Sequence, residues 1–176
     1  MLANCISSLR LLMAPALVYL LWQNLFLWSL LLMLGALITD VADGFVARKL
    51  GQVTNVGGLL DHGSDALLVL SGLTVFAALS VIPWALPILV FIAFAQYVWD
   101  SGSLKRAPLR ASSIGKLNGM MYFAFVVLLI AREAFFLPLP NAAATSYLAW
   151  GLVLSTLISI ADRLTAMRQV SRDPNS

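Results

Sequence analysis

The sequence predicts an all-α integral membrane protein, a bundle of six transmembrane helices. Three observations carry that prediction. Apolar residues make up 61% of the chain and charged residues 11%, a balance far from that of a water-soluble domain. Six mostly apolar blocks follow one another, most close to the roughly 20 residues that a spanning helix needs. The basic residues gather in alternate gaps between blocks, as they do in the cytoplasmic loops of multi-pass proteins.

In order, the blocks run from Leu9 to Trp22, Leu25 to Asp43, Gly57 to Ser80, Ile82 to Asp100, Lys116 to Leu137 and Thr145 to Met167. The first is short, and its flank Leu2 to Ser8 can extend it. With the N-terminus in the cytoplasm, Arg10, Arg48, Lys49, Lys105, Arg106, Arg110, Lys116, Arg163, Arg168 and Arg172 all fall at cytoplasmic ends, and Arg132 alone lies near the other side. The turn at Gln23 and Asn24, the turn from Ser80 to Trp84 and the Pro-rich loop from Leu137 to Tyr147 then face outward. Trp22, Trp28, Trp84, Trp99 and Trp150 lie towards block ends and fit an interfacial belt. Arg132 with Glu133 reads as an outward-end pair.

No composition shift, low-complexity tract or repeat divides the chain, so one membrane domain over residues 1–170 is expected, with a solvated tail over residues 171–176. More spans follow the first block, which argues against a cleaved signal peptide. The single cysteine, Cys5, excludes an internal disulfide and a multi-cysteine metal cluster. The net charge of +3 follows from topology and gives no reason to expect nucleic acid as a partner.

Against this background the run DVADGFVARKLGQVTNVGGLLDHGSD, from Asp40 to Asp65, stands out for its four aspartates. Asp40 and Asp43, at i and i+3, project from one helix face near the cytoplasmic end of the second span. Asp61 and Asp65, at i and i+4, do so near the cytoplasmic start of the third. A linker from Gly44 to Val56 is expected to bring the two helices back side by side so that the pairs meet. Ionised carboxylates in or near a bilayer cost several kcal/mol each unless neutralised, and two divalent cations would cancel a charge of about minus four. An all-oxygen donor set favours magnesium or manganese over zinc. Paired ions suit phosphoryl and nucleotidyl chemistry.

Small residues keep the approach open. Gly44 and Ala47 lie one turn after Asp40 and Asp43, Gly57 one turn before Asp61, and Arg48 can offer a planar donor fork to phosphate. Gly and Ala in membrane helices also mark plain helix packing, but that reading leaves the four carboxylates unexplained.

The spacing DxxDGxxAR, eight residues, then GxxxDxxxD resembles the signature of the CDP-alcohol phosphotransferases, also called CDP-alcohol phosphatidyltransferases. Asp40, Asp43, Gly44, Ala47, Arg48, Gly57, Asp61 and Asp65 occupy every fixed position. The resemblance implies a six-helix membrane enzyme, commonly homodimeric, with a metal site open to the cytoplasm, as on a bacterial inner membrane. It implies Asp40, Asp43, Asp61 and Asp65 as ligands of two ions, and Asp65 also as general base. Gly44, Arg48 and Thr54 fall where the family holds nucleotide and diphosphate. The opening ANCISSLRLLMAP is similar to the family's PNxxTxxR and adds Asn4, Ser7 and Arg10, with Ala3 in place of Pro and Ser7 in place of Thr.

The implied reaction moves a phosphatidyl group from CDP-diacylglycerol to a small hydroxyl acceptor, releasing CMP and making phospholipid among membrane lipids. Lys105, Arg106, Arg110 and Lys116 suit an acceptor that carries phosphate, such as glycerol 3-phosphate, although the positive-inside pattern accounts for the same cluster without a ligand. Two departures bear on the acceptor. GKLNG stands where glycerol phosphate enzymes of this family show a GKxKT-like stretch, placing Asn118 and Gly119 at the Lys and Thr positions, and DHGSD is similar to the form in choline and ethanolamine phosphotransferases. His62, the only histidine, points away from Asp61 and reads as a packing or supporting residue. Asp100 reads as a helix-end cap, and Asp162 with Arg163 as residues meeting the interface. The alternatives are a phosphotransferase that carries a CDP-amino alcohol's phosphoalcohol to diacylglycerol and, from another class, a divalent-cation transporter. Clustering of all four aspartates at one end of the bundle favours a transferase over an ion path.

Overall fold

The computed structural model describes residues 2–50, 55–103 and 113–172, with side chains described for residues 11–41, 63–98 and 114–165. Six helices follow in order: α1 Leu2–Trp22, α2 Phe26–Leu50, α3 Asn55–Ala78, α4 Ala85–Ser103, α5 Ser113–Ala134 and α6 Ala142–Arg172. No strand occurs among the described residues. Long runs of Leu, Ala, Ile, Val and Met make each helix apolar nearly all round. Ile114–Ala134 and Ala142–Thr165 are long and apolar enough to cross a bilayer, while the described parts of the other four form shorter apolar segments.

The outside of the bundle is apolar on every helix. Leu12, Ile38, Leu67, Phe91, Met120 and Ile158 are all exposed, and water would not tolerate so continuous a jacket. The protein is a membrane protein. Trp22, Trp28 and Trp84 are exposed beside the turns at one end of the bundle, as an interfacial belt requires.

Three helices end at that same end with one device. Asn24, Ser80 and Phe136 each take a left-handed backbone, at φ 57°, 59° and 53°. The next amide then reaches back five residues, from Leu25 to the Leu20 carbonyl (2.8 Å), from Val81 to Phe76 (2.9 Å) and from Leu137 to Arg132 (2.9 Å). Each bond satisfies a carbonyl left over at a helix terminus, as in a Schellman cap. Asn141 starts α6 in complementary fashion, its Oδ1 accepting from the Ala144 amide at 2.9 Å.

The helices pack as a closed ring: α2 on α1, α1 on α3, α3 on α4, α4 on α6, α6 on α5 and α5 back on α2, with α3 also touching α5. Leu17, Leu21, Met33, Leu73, Phe76, Val126, Leu129 and Ile130 fill the middle. The closest approach is at Gly72 of α3, where an added Cβ would lie 2.7 Å from Val126 Cγ1 of α5 and 3.6 Å from Leu17 Cδ2 of α1.

One expectation is corrected. Gly44 to Val56 is not a linker, because α2 continues to Leu50 and α3 is already helical at Asn55. Ala47, Arg48, Lys49 and Leu50 are good helix formers and no proline interrupts them. Among the described residues α3 packs on α1, α4 and α5, and the missing side chain of Gly72 lets α5 come close. At the other terminus α6 runs through Arg172, so it enters the expected tail, and residues 173–176 lie outside the described part.

Candidate functional site

Continuous helix through both halves of the aspartate run gives the pairs their geometry. On α2, Asp40 and Asp43 are three residues apart, a rise of about 4.5 Å. On α3, Asp61 and Asp65 are four apart, about 6 Å. Each pair therefore occupies one helix face. Both pairs lie at the end of the ring opposite the three left-handed caps. The last turns of α2, α4 and α6 share that end with the first turns of α1, α3 and α5.

Asp40 and Asp65 are half-buried, and Ser64 beside Asp65 is buried. The side chains of Asp43, Gly44, Arg48 and Asp61 lie outside the described residues, although all four positions are helical. The same holds for Asn4, Ser7 and Arg10 in α1. Thr54, Lys105, Arg106 and Arg110 lie wholly outside. Lys116 is exposed in the first turn of α5.

α1 packs against both α2 and α3, and so does α5. The half-buried carboxylates of Asp40 and Asp65 are hard oxygen donors that fit a divalent cation, and the side chain of His62, one turn before Asp65, lies outside the described residues. Among the described residues no three ligating side chains meet, and two of the four aspartates are outside that set.

Sequence reasoning missed a second polar grouping at this end. The Arg163 guanidinium of α6 lies over the Tyr97 ring of α4, 5.3 Å from its centre, and Tyr97 stacks with Phe94. On the other side Arg163 covers Gly115 of α5, where a Cβ would sit 3.2 Å from Nη2. Deeper along the seam, Ser155 Oγ donates to Asn118 Oδ1 at 2.6 Å. Thr156 Oγ1 donates to the Leu152 carbonyl, so the Tyr122 hydroxyl, 2.6 Å away, must donate to Thr156. The signal was available as matching polar stripes, Gly115, Asn118 and Tyr122 on α5 against Ser155 or Thr156, Ser159 and Arg163 on α6. At the opposite end Arg132 pairs with Glu133, as the sequence suggests, and Nη1 donates to the Pro140 carbonyl at 3.2 Å.

An apolar six-helix ring with paired carboxylates at one end is a membrane-embedded helical bundle with an acidic end. The model of the CDP-alcohol phosphatidyltransferase family matches residues 1–162, and the chain belongs to that family. It is a transferase of phosphatidyl groups in phospholipid biosynthesis. Among its relatives is a CDP-diacylglycerol--glycerol-3-phosphate 3-phosphatidyltransferase of Wigglesworthia glossinidia brevipalpis, 28% identical over 141 residues, which cover 75% of this chain and 78% of that one. A probable phosphatidylglycerophosphate synthase of Mycobacterium tuberculosis is 27% identical over 181 residues, 96% of this chain and 83% of the other. A cardiolipin synthase (CMP-forming) of Streptomyces coelicolor is 26% identical over 132 residues, 72% and 61%.

Proposed function

We propose that the protein transfers a phosphatidyl group from CDP-diacylglycerol to glycerol 3-phosphate, releasing CMP, at a site open to the cytoplasm of a six-span membrane protein. The observation that carries this reading is the placement of both aspartate pairs on unbroken helices at one end of the ring, within the span matched by the family model. The names of the Wigglesworthia and M. tuberculosis relatives support the acceptor. The relatives reported above are named as a CDP-diacylglycerol-dependent phosphatidyltransferase and as synthases of phosphatidylglycerophosphate and cardiolipin, which favours this donor over a CDP-amino alcohol and a transferase over a cation transporter.

Asp40, Asp43, Asp61 and Asp65 would hold two magnesium or manganese ions, which supply charge neutralisation at the diphosphate. Arg48 offers its fork to the same diphosphate, with Gly44 leaving room for the nucleotide and Thr54, Asn4, Ser7 and Arg10 as further contacts. Asp65 accepts the proton of the acceptor hydroxyl as that oxygen attacks the phosphorus distal to cytidine. The bond from this phosphorus to the bridging oxygen breaks, and CMP leaves with that oxygen. Lys116, exposed at the same end, meets the acceptor's phosphate together with Lys105, Arg106 and Arg110. Catalysis is then chiefly positioning and electrostatic stabilisation. The enzyme works as a homodimer in this reading.

The test is release of labelled CMP from CDP-diacylglycerol by the purified protein in lipid nanodiscs, with magnesium or manganese and with chelator. Glycerol 3-phosphate, phosphatidylglycerol, inositol phosphate, serine and choline serve in turn as acceptor. Metal-dependent CMP release with glycerol 3-phosphate is expected. Release with phosphatidylglycerol alone would give the chain the activity that its Streptomyces relative is named for, and metal flux without CMP release would remove the transferase reading. Chemical crosslinking checks the dimer.

A further inference from the structure

The α5–α6 seam carries an inference about how the acceptor site is built, and it rests on the reading of Lys116 given above. Gly115, Asn118 and Tyr122 are spaced at i, i+3 and i+7, so they share one face of α5. That face meets Arg163, Ser159, Ser155 and Thr156 of α6. Asn118 is 3% exposed, its Oδ1 accepts from Ser155 Oγ, and its amide lies beside the Tyr122 hydroxyl. A leucine of similar size would fill the place with no polar group of its own to satisfy, so packing alone gives no reason for an amide here. What the amide does supply is a directional bond that fixes the rotation of α5 about its own axis.

That rotation decides where Lys116 points. At about 100° per residue, Lys116 lies roughly 160° from Asn118 around the helix. With Asn118 turned to α6, Lys116 is turned away from α6, and the other neighbours of α5 are α2 and α3, the two aspartate helices. We propose that Asn118 is a positioning residue: its bond to Ser155 locks α5 so that Lys116 faces the aspartate helices and holds the acceptor's phosphate there. Gly115 leaves room for Arg163 beside it, where an added Cβ would lie 3.2 Å from the guanidinium Nη2.

The experiment measures KM for glycerol 3-phosphate, KM for CDP-diacylglycerol and kcat in Asn118→Leu, Lys116→Ala and the double variant. Asn118→Leu is expected to raise the acceptor KM about three- to tenfold, the range that one interhelical hydrogen bond in a membrane supports, with the donor KM unchanged. Lys116→Ala is expected to raise the acceptor KM at least as much, and the double variant no further than Lys116→Ala alone. Exchange of the pair, Asn118→Ser with Ser155→Asn, restores the acceptor KM by making the bond from the other side. If Lys116→Ala leaves the acceptor KM unchanged, the acceptor reading itself fails and takes the proposal with it. If Lys116→Ala raises it while Asn118→Leu does not, or if the two effects multiply, the positioning role is overturned and the acceptor reading stands. Should Asn118→Leu fail to fold, the exchanged pair decides, and a raised acceptor KM in that folded variant overturns the proposal.

Discussion

Substitution of Gly72 by alanine sets two effects of opposite sign against each other, and the packing of α1, α3 and α5 decides which wins. In an exposed helix the change would stabilise by about 1 kcal/mol through helix propensity. Here the new methyl would lie 2.7 Å from Val126 Cγ1 and 3.5 Å from Cγ2, with Leu17 Cδ2 at 3.6 Å. Carbon atoms rest at about 3.5–4.0 Å, so α5 must retreat by roughly 1 Å. Val126 cannot turn aside, because a β-branched side chain in a helix has essentially one rotamer, and it is fully buried. Overpacking of this kind costs about 1–3 kcal/mol, which leaves a net loss of about 1 kcal/mol. Unfolding in mixed micelles, titrated with a denaturing detergent, reads the difference. Val126→Ala removes both offending carbons, so the double variant should recover more stability than two independent losses allow. A Gly72→Ala variant as stable as the parent or more so would refute the close approach of the three helices.

Asp65→Asn should lower kcat by at least about a hundredfold, the scale of a lost general base, while retaining part of the metal affinity, measured by isothermal titration; full activity would remove Asp65 from the base role. Asp40→Asn should weaken metal binding along with turnover, and chelation of magnesium and manganese should stop CMP release until either ion is restored. Ser80→Gly relieves a left-handed backbone worth about 1 kcal/mol and should raise the unfolding midpoint, whereas Asn24→Gly should change it little, because asparagine tolerates that conformation. Tyr122→Phe deletes the bond to Thr156 and should cost about 0.6 kcal/mol in the same unfolding assay.

Much of this architecture was readable one helix at a time. The apolar blocks located all six helices, and the flank Leu2 to Ser8 does belong to the first. The i, i+3 and i, i+4 spacings of the aspartates hold because α2 and α3 are continuous through them. What could not be read is lateral order. Hydropathy says that a helix crosses lipid but not which neighbour it meets, so neither the contact of α1 with α3 nor the close approach of α5 to Gly72, which shows only against Val126, was legible. Arg163 misled for a related reason. A terminal arginine near a lipid interface needs no protein partner, and only the alignment of Gly115 and Tyr97 from two other helices reveals one. The linker expected from Gly44 to Val56 was set too early, because the four good helix formers of residues 47–50 carry α2 on to Leu50.

The order of the ring also bears on how the enzyme comes into being during synthesis. Once α1, α2 and α3 have been made, both acidic pairs are present and α1 can pack on both aspartate helices. The other helix that touches both, α5, emerges some 50 residues after Asp65. A chain halted after α4 would therefore carry every residue of the signature and still lack one of the two helices that bridge α2 and α3.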